Sequence, residues 1–225
     1  MRKFITFLVL GFFATPAFGA ELNEIRISSP GAGDDTSNFV EISGAPGESL
    51  DGLTLVSVSS EFEPGEVSFV VDLAGQTIPA DGFFLVAADT TTYAGTDLAT
   101  GNDYFGSPQV FALLDGFTGA QGDDYDTDND GMLDLTPFTA IVDGLGLIDG
   151  DENPDFVYGS PTVGPDGSFP PAHVFRPTDS GTEWAIGLFG DFGGDSPGVA
   201  NVPEPNSALM GFVALLGIAA IRRRK

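Results

Sequence analysis

Five residues in one short stretch have the types and spacing to do chemistry: Asp126, Asp128, Asp130, Met132 and Asp134, within the run Asp-Thr-Asp-Asn-Asp-Gly-Met-Leu-Asp. A tight loop turns alternate side chains inward, so carboxylates at the first, third and fifth positions can converge on one point. Gly131 at the sixth permits the sharp reversal, and Met132 at the seventh offers its backbone carbonyl. Asp134 at the ninth suits a ligand that acts through water. The ion this pattern fits is calcium, a hard cation that takes about six to eight oxygens. Missing oxygens would come from Asp123, Asp124 or Asp143. The competing reading of the same residues is a solvated acidic loop that binds nothing tightly.

The run is not a complete EF-hand. Pro137 stands where a bidentate Glu would close the loop, and no long flanking helices are evident. The isolated loop resembles those of dockerins and thrombospondin type-3 repeats, which implies calcium held by an incomplete ligand set, at the millimolar to sub-millimolar affinity of extracellular modules. Asp149-Gly-Asp151-Glu152-Asn153-Pro154-Asp155 is a weaker echo without the spacing. It reads as a charged turn, with a second ion site as the alternative.

Other chemistry is poorly represented. The chain has no cysteine and one histidine, which excludes thiolate metal sites, thiol nucleophiles, disulfides and His-rich zinc sites. His173 sits in a Pro-rich stretch and reads as a surface or half-buried residue. No serine stands in a nucleophile-elbow context. Carboxylate pairs carry no signal for glycoside hydrolysis, because so many acids place some pair at catalytic distance by chance. Asn23 and Glu24 read as structural. Trp184, Tyr158 and Tyr125 could stack on sugar rings if they shared an exposed face, but core or edge packing is their expected role.

The elements that must position the loop are strands. Short Phe-, Val- and Leu-rich runs between turn residues predict an all-β domain over residues 21–189. Strands are expected at Leu22–Ile27, Asn38–Ser43, Leu53–Ser59, Phe83–Ala88, Gln109–Leu114, Ala140–Ile148, Asp155–Tyr158 and Glu183–Phe189. Val67, Phe69, Val71 and Leu73 alternate with Glu66, Ser68, Val70 and Asp72, predicting a strand whose first set faces a core. Long loops are expected at Asp89–Ser107 and Gly116–Asp134, coil at Ser160–Pro171, and a flexible stalk at Gly190–Asn201.

Charge is lopsided. Of 33 acidic residues, 32 lie between the two termini, against only Arg26 and Arg176 among the eight basic ones. Such a body repels nucleic acid and anionic lipid and attracts divalent cations. Met1–Ala20 has the layout of a secretory signal peptide: Arg2 and Lys3, an apolar run from Phe4 to Ala14, then Pro16 and small residues. Cleavage fits after Gly19, with Ala20 as the nearby alternative. At the other end, the uncharged run Ser207–Ile221 is followed by Arg222, Arg223, Arg224 and Lys225. It is shorter than the usual span of about 20 residues, so it is a marginal anchor with its basic end in the cytoplasm.

Two resemblances follow from these residues. Val202-Pro203-Glu204-Pro205, the apolar helix 207–221 and the terminal Arg cluster resemble the PEP-CTERM sorting signal of exported proteins in exopolysaccharide-making Gram-negative bacteria. The resemblance implies recognition by an exosortase while the chain is transiently anchored in the inner membrane, facing the periplasm. Removal of the tail and delivery to the cell surface or extracellular matrix would follow. Leu22-Asn23-Glu24-Ile25, Asn38–Ile42, Leu50–Leu55 and Ile78–Val86 are similar to the opening of lamin-tail domains. That similarity implies an immunoglobulin-like β-sandwich with long acidic insertions, with a jelly roll or another sandwich as competitor. Leu53 departs from the aromatic usual there.

Together these readings lead to a secreted, non-enzymatic, calcium-binding structural or adhesive protein, able to bridge through Ca²⁺ to anionic exopolysaccharide. A carbohydrate-binding module is the second expectation and an extracellular hydrolase the third.

Overall fold

The computed structural model describes residues 19–27, 38–88, 93–101, 107–179, 181–189 and 194–201. Residues 1–18 of the expected leader Met1–Ala20, residues 28–37 and the expected sorting segment Val202–Lys225 lie outside the described residues. Among the described residues no helix is long and apolar enough to cross a membrane.

Short apolar runs ended by turn residues give eleven strands among the described residues: β1 (Glu21–Arg26), β2 (Phe39–Ser43), β3 (Leu53–Ser59), β4 (Val67–Asp72), β5 (Phe83–Ala88), β6 (Leu98–Thr100), β7 (Gln109–Asp115), β8 (Ala140–Leu147), β9 (Thr162–Val163), β10 (His173–Phe175) and β11 (Ala185–Ile186). They form two sheets, ordered β11-β10-β1-β2-β5-β6 and β4-β3-β7-β8-β9. All pairings are antiparallel except β5 with β6 and β8 with β9. Leu22, Ile25, Ile42 and Phe84 of the first sheet meet Leu55, Phe69, Phe111, Leu113 and Leu145 of the second in one apolar core. The expected all-β, two-sheet architecture is therefore present.

The outward faces differ. On the first sheet, Glu24 lies directly opposite Glu41, and Arg26 lies opposite His173 on the other side. All four are buried. A bulge between Leu22 and Glu24 inserts Asn23, whose amide donates to Glu41 Oε1 at 2.8 Å. On the second sheet the outward residues are apolar: Val56, Ala112 and Leu114, with Val58 and Val70 beside them. A bulge where Ser57 pairs Phe69 but Val58 pairs Val67 shifts the alternation of β4 by one residue. Phe69, Val71 and Leu73 face the core as expected. Val67 does not; it joins Val58 on the outer face.

Several other expectations are corrected. Asp155–Tyr158 is not a strand. Phe156 N donates to Ser60 O, but Tyr158 has a φ of 49°, which ends any extended run. The Asp89–Ser107 stretch carries β6, which lies parallel to β5, and the Ser160–Pro171 coil carries β9. Strand β10 lies between β11 and β1 in the first sheet, and His173 on it is 1 % exposed rather than a surface residue. Residues 194–201 do not stand clear of the domain as a stalk. They run across the charged face of the first sheet, where Asp195 pairs with Arg26 and Ser196 N donates to Glu24 Oε1.

Candidate metal centre

The loop between β7 and β8 leaves the sheet at Gly116, whose amide donates to Gly52 O, and returns at Thr139, whose amide donates to Asp115 O at 2.8 Å. It is laced to the start of β4. Gly122 N donates to Val67 O, Val67 N to Asp123 O and Tyr125 N to Gly65 O, at 2.9–3.0 Å. These bonds satisfy an edge strand and hold the acidic stretch against the body. Beneath it, Phe117, Tyr125, Leu133 and Phe138 cover Val56, Val110, Ala112 and Leu114 around an apolar cavity of about 40 Å³. The loop is thus a roof over the apolar outer face of the second sheet.

Asp126 is the pivot. It is fully buried, and its Oδ1 accepts from Asp130 N while Oδ2 accepts from Gly131 N and from Tyr158 Oη, at 3.0–3.1 Å. These bonds curl the backbone around the carboxylate, so Asp126, Asp128 and Asp130 each present an oxygen within 4.8 Å of the others. Asp128 and Asp130 remain exposed. Neighbouring charge, Asp130 above all, pushes the Asp128 carboxyl above the usual range. Three carboxylates gathered this closely are a donor set for a hard cation.

Two glycines make the curl possible. Gly131 has a φ of 85°, and a Cβ there would lie 2.7 Å from the Phe156 ring. Gly65, at φ 89°, lets the β3–β4 connection approach Asp126, where a Cβ would meet the Asp126 amide nitrogen at 2.5 Å.

The remaining predicted ligands fall as follows. Met132 follows the turn with its side chain 70 % exposed, and its amide donates to Asp130 Oδ1 at 2.9 Å. Asp134 lies outside the convergent trio, with Oδ2 accepting from both the amide and the hydroxyl of Thr127. Of the three auxiliary acids, Asp124 Oδ1 accepts from Asp126 N, and Asp123 Oδ2 accepts from Tyr125 Oη and Ala120 N. Asp143 is on other duty: its Oδ2 takes Arg176 NH2 at 2.7 Å and Leu22 N at 2.8 Å, so it is not a loop ligand.

Tyr125 and Tyr158 both line the apolar cavity, and Tyr125 is buried. Burial first, then the bond to Asp123, pushes the Tyr125 hydroxyl up to about 12. Trp184 packs on the main core with the Arg176 guanidinium 4.7 Å above its ring. The three aromatics share no exposed face.

Two further acidic groups were not legible as groups in the sequence. Glu61 joins Asp149 and Asp155, again within 4.8 Å, and Glu61 Oε2 and Asp155 Oδ1 are buried atoms without a hydrogen-bond partner. Burial first, then the neighbouring aspartates, raises both carboxyls. The signal for half of this group was the acidic echo at 149–155; nothing in sequence pointed to Glu61. The second group, Glu24, His173 and Asp195, has its side chains buried. Its oxygens are already engaged by His173 Nε2 at 2.7 Å, Ser196 N, Ser196 Oγ, Arg26 NH1 and Tyr93 Oη. That makes it an internal charge network rather than an open coordination site.

Comparison with protein-family models, with curated proteins and with solved structures finds no match to this chain.

Proposed function

We propose that this chain is an exported, non-enzymatic, calcium-binding β-sandwich protein that works as a structural or adhesive component of a bacterial cell surface or exopolysaccharide matrix. The observation that carries the reading is the convergence of Asp126, Asp128 and Asp130 on a buried, backbone-fixed pivot. Bound there, calcium would offset the repulsion among these carboxylates. Asp128 and Asp130, exposed at the rim, would leave room for water, for a neighbouring copy or for anionic polysaccharide to complete the shell.

Surface charge points the same way. Both basic residues of the body are buried, Arg26 fully and Arg176 at 4 % exposed, so no basic side chain of the body is left at the surface. A polyanionic surface of this kind meets an anionic matrix through divalent cations or not at all.

The sandwich is read as immunoglobulin-like, in keeping with the lamin-tail resemblance; β1, β2, β3 and β5 fall on the residues that carry it. Export rests on the Met1–Ala20 leader and sorting on the Pro203-Glu204-Pro205 tail, with an exosortase as the processing partner. Ala20 is buried and its amide donates to Glu48 Oε1 at 3.0 Å, which favours leader cleavage after Gly19, keeping Ala20 in the fold.

Calorimetric titration with calcium, paired with thermal melting, tests the reading. Heat of binding and a raised melting temperature are expected. Absence of both at about 10 mM calcium, well above the range of extracellular modules, would overturn it.

A further inference from the structure

We propose that residues 194–201 form a pH-releasable strap, docked on the charged outer face of the first sheet near neutrality and let go in alkali, which opens the polar groove of β1, β2 and β10.

The strap is held differently from the rest of the domain. Its one large aliphatic residue, Val199, is 59 % exposed, so hydrophobic burial does little to hold it. Its anchors are polar, and nearly all involve an ionisable group. Asp195 Oδ1 takes Arg26 NH1 at 3.0 Å and lies 3.2 Å from His173 Nδ1, off the line of a hydrogen bond, while Oδ2 accepts from Tyr93 Oη. Ser196 donates its amide and its hydroxyl to Glu24, at 2.9 and 2.8 Å. Gly198 N donates to Glu41 Oε2, and Asn201 N donates to Asp179 Oδ1 at 2.8 Å.

Charge balance decides when such a strap stays docked. The groove and strap bring together Glu24, Glu41 and Asp195 against Arg26 and the imidazole of His173, with Tyr93 neutral and Asp179 at the rim. Both ring nitrogens of His173 face carboxylates, Nε2 at 2.7 Å from Glu24 Oε1 and Nδ1 at 3.2 Å from Asp195 Oδ1. Asp195 meets Arg26 and Glu24 meets His173, whereas Glu41 has only amide donors, Asn23 Nδ2 and Gly198 N. It lies directly across from Glu24, a like-charge pair on adjacent strands. Burial, outweighing the bonds from Gly198 and Asn23, pushes the Glu41 carboxyl up to about 8. Burial likewise raises Asp195. Groups raised in the docked state hold protons that the open state would release. Docking therefore weakens as pH climbs through their range, and ionised Glu41 gains hydration when the strap lifts.

Hydrogen–deuterium exchange of the full-length chain, corrected for the intrinsic rate at each pH, reads this directly. Between about pH 6 and about pH 9.5, amides of 194–201 should lose roughly tenfold or more of their protection while β2 and β7 keep theirs, since the shift in Glu41 spans more than one decade of proton affinity. Constant protection of the strap overturns the proposal, as does loss in step with β2 and β7. Glu41→Gln, which cannot ionise but can still accept from Gly198 N, should retain strap protection at the higher pH. An unchanged loss in that variant also overturns the proposal. Should that variant fail to fold, the wild-type profile decides alone.

Discussion

Each sheet has a cover, and the two covers are built on opposite principles. The β7–β8 loop roofs the second sheet by burying Phe117, Tyr125 and Phe138 on Val56, Ala112 and Leu114, and apart from the buried Asp126 it carries its acids at the exposed rim. The 194–201 strap covers the first sheet with polar anchors: its one charge, Asp195, points inward onto Arg26 and His173, while Ser196 and Gly198 donate to the buried Glu24 and Glu41. Apolar burial holds no titrating group, and it leaves Asp128 and Asp130 at the surface. Inward charges fix one register strongly, but every partner must be present. The difference separates two settings for acids in so acidic a chain: buried Asp126, Glu24 and Glu41 collect donors from the fold, whereas Asp128 and Asp130 are left exposed.

The sharpest way to break this contrast is Arg26→Met, which removes the buried cation beside Asp195. Stranding one partner of a buried pair costs about 3–5 kcal/mol. Denaturant unfolding should show a loss of that size, and a loss below about 1 kcal/mol would mean that the inward network is not what holds the strap. Asp126→Ala strikes the pivot under the other cover. Three donors, the amides of Asp130 and Gly131 and the Tyr158 hydroxyl, lose their acceptor. Stability should fall by about 1–3 kcal/mol even with a chelator present.

A smaller effect separates the covers by pH. Glu41, Asp195, Glu21, Asp97, Glu61 and Asp155 are all raised, each with burial as the leading cause. A carboxyl raised in the fold contributes stability that is present below its unfolded value and lost as pH rises through its folded one. The calcium-free chain should therefore melt higher near about pH 5 than near about pH 8, with Glu41 spanning most of that window. Equal melting temperatures would contradict this sign. The smallest change comes from Asp128→Ala. In chelator it should melt like the unsubstituted chain, because Asp128 is exposed, yet it should lose most of the calcium-dependent rise. A full calcium response in that variant would place the ion elsewhere.

Much of the fold was legible because alternation and turn residues are local signals. Leu53–Ser59, Phe83–Ala88 and Gln109–Leu114 show their strands in their own composition. Strand β10 was hidden for the converse reason. Pro170-Pro171 closed a stretch read as coil, the lone His173 read as a surface or half-buried residue, and the partner β1 lies far away in sequence, so only tertiary pairing reveals the strand. The strap was hidden by composition: Ser196-Pro197-Gly198 has the residues of a linker, and nothing local reveals that Glu24 and Glu41 await donors. The single-residue slip at Val67 came from a bulge that binary patterning cannot register. The spacing of Asp126, Asp128 and Asp130 was enough to foresee that their carboxylates converge, because the amides of Asp130 and Gly131 in the same loop turn onto Asp126. Neither Asp143, drawn off by Arg176, nor Glu61, brought in from another hairpin, could be placed without the fold.

Burial of both arginines has a consequence for proteolysis. Between residues 21 and 201, a protease that cuts after Arg or Lys has only Arg26 and Arg176 to recognise, and the fold hides both, one in the middle of a charge network and one stacked on a tryptophan. For such a protease the folded body offers no accessible site, and a cut after either residue reports that its sheet has opened.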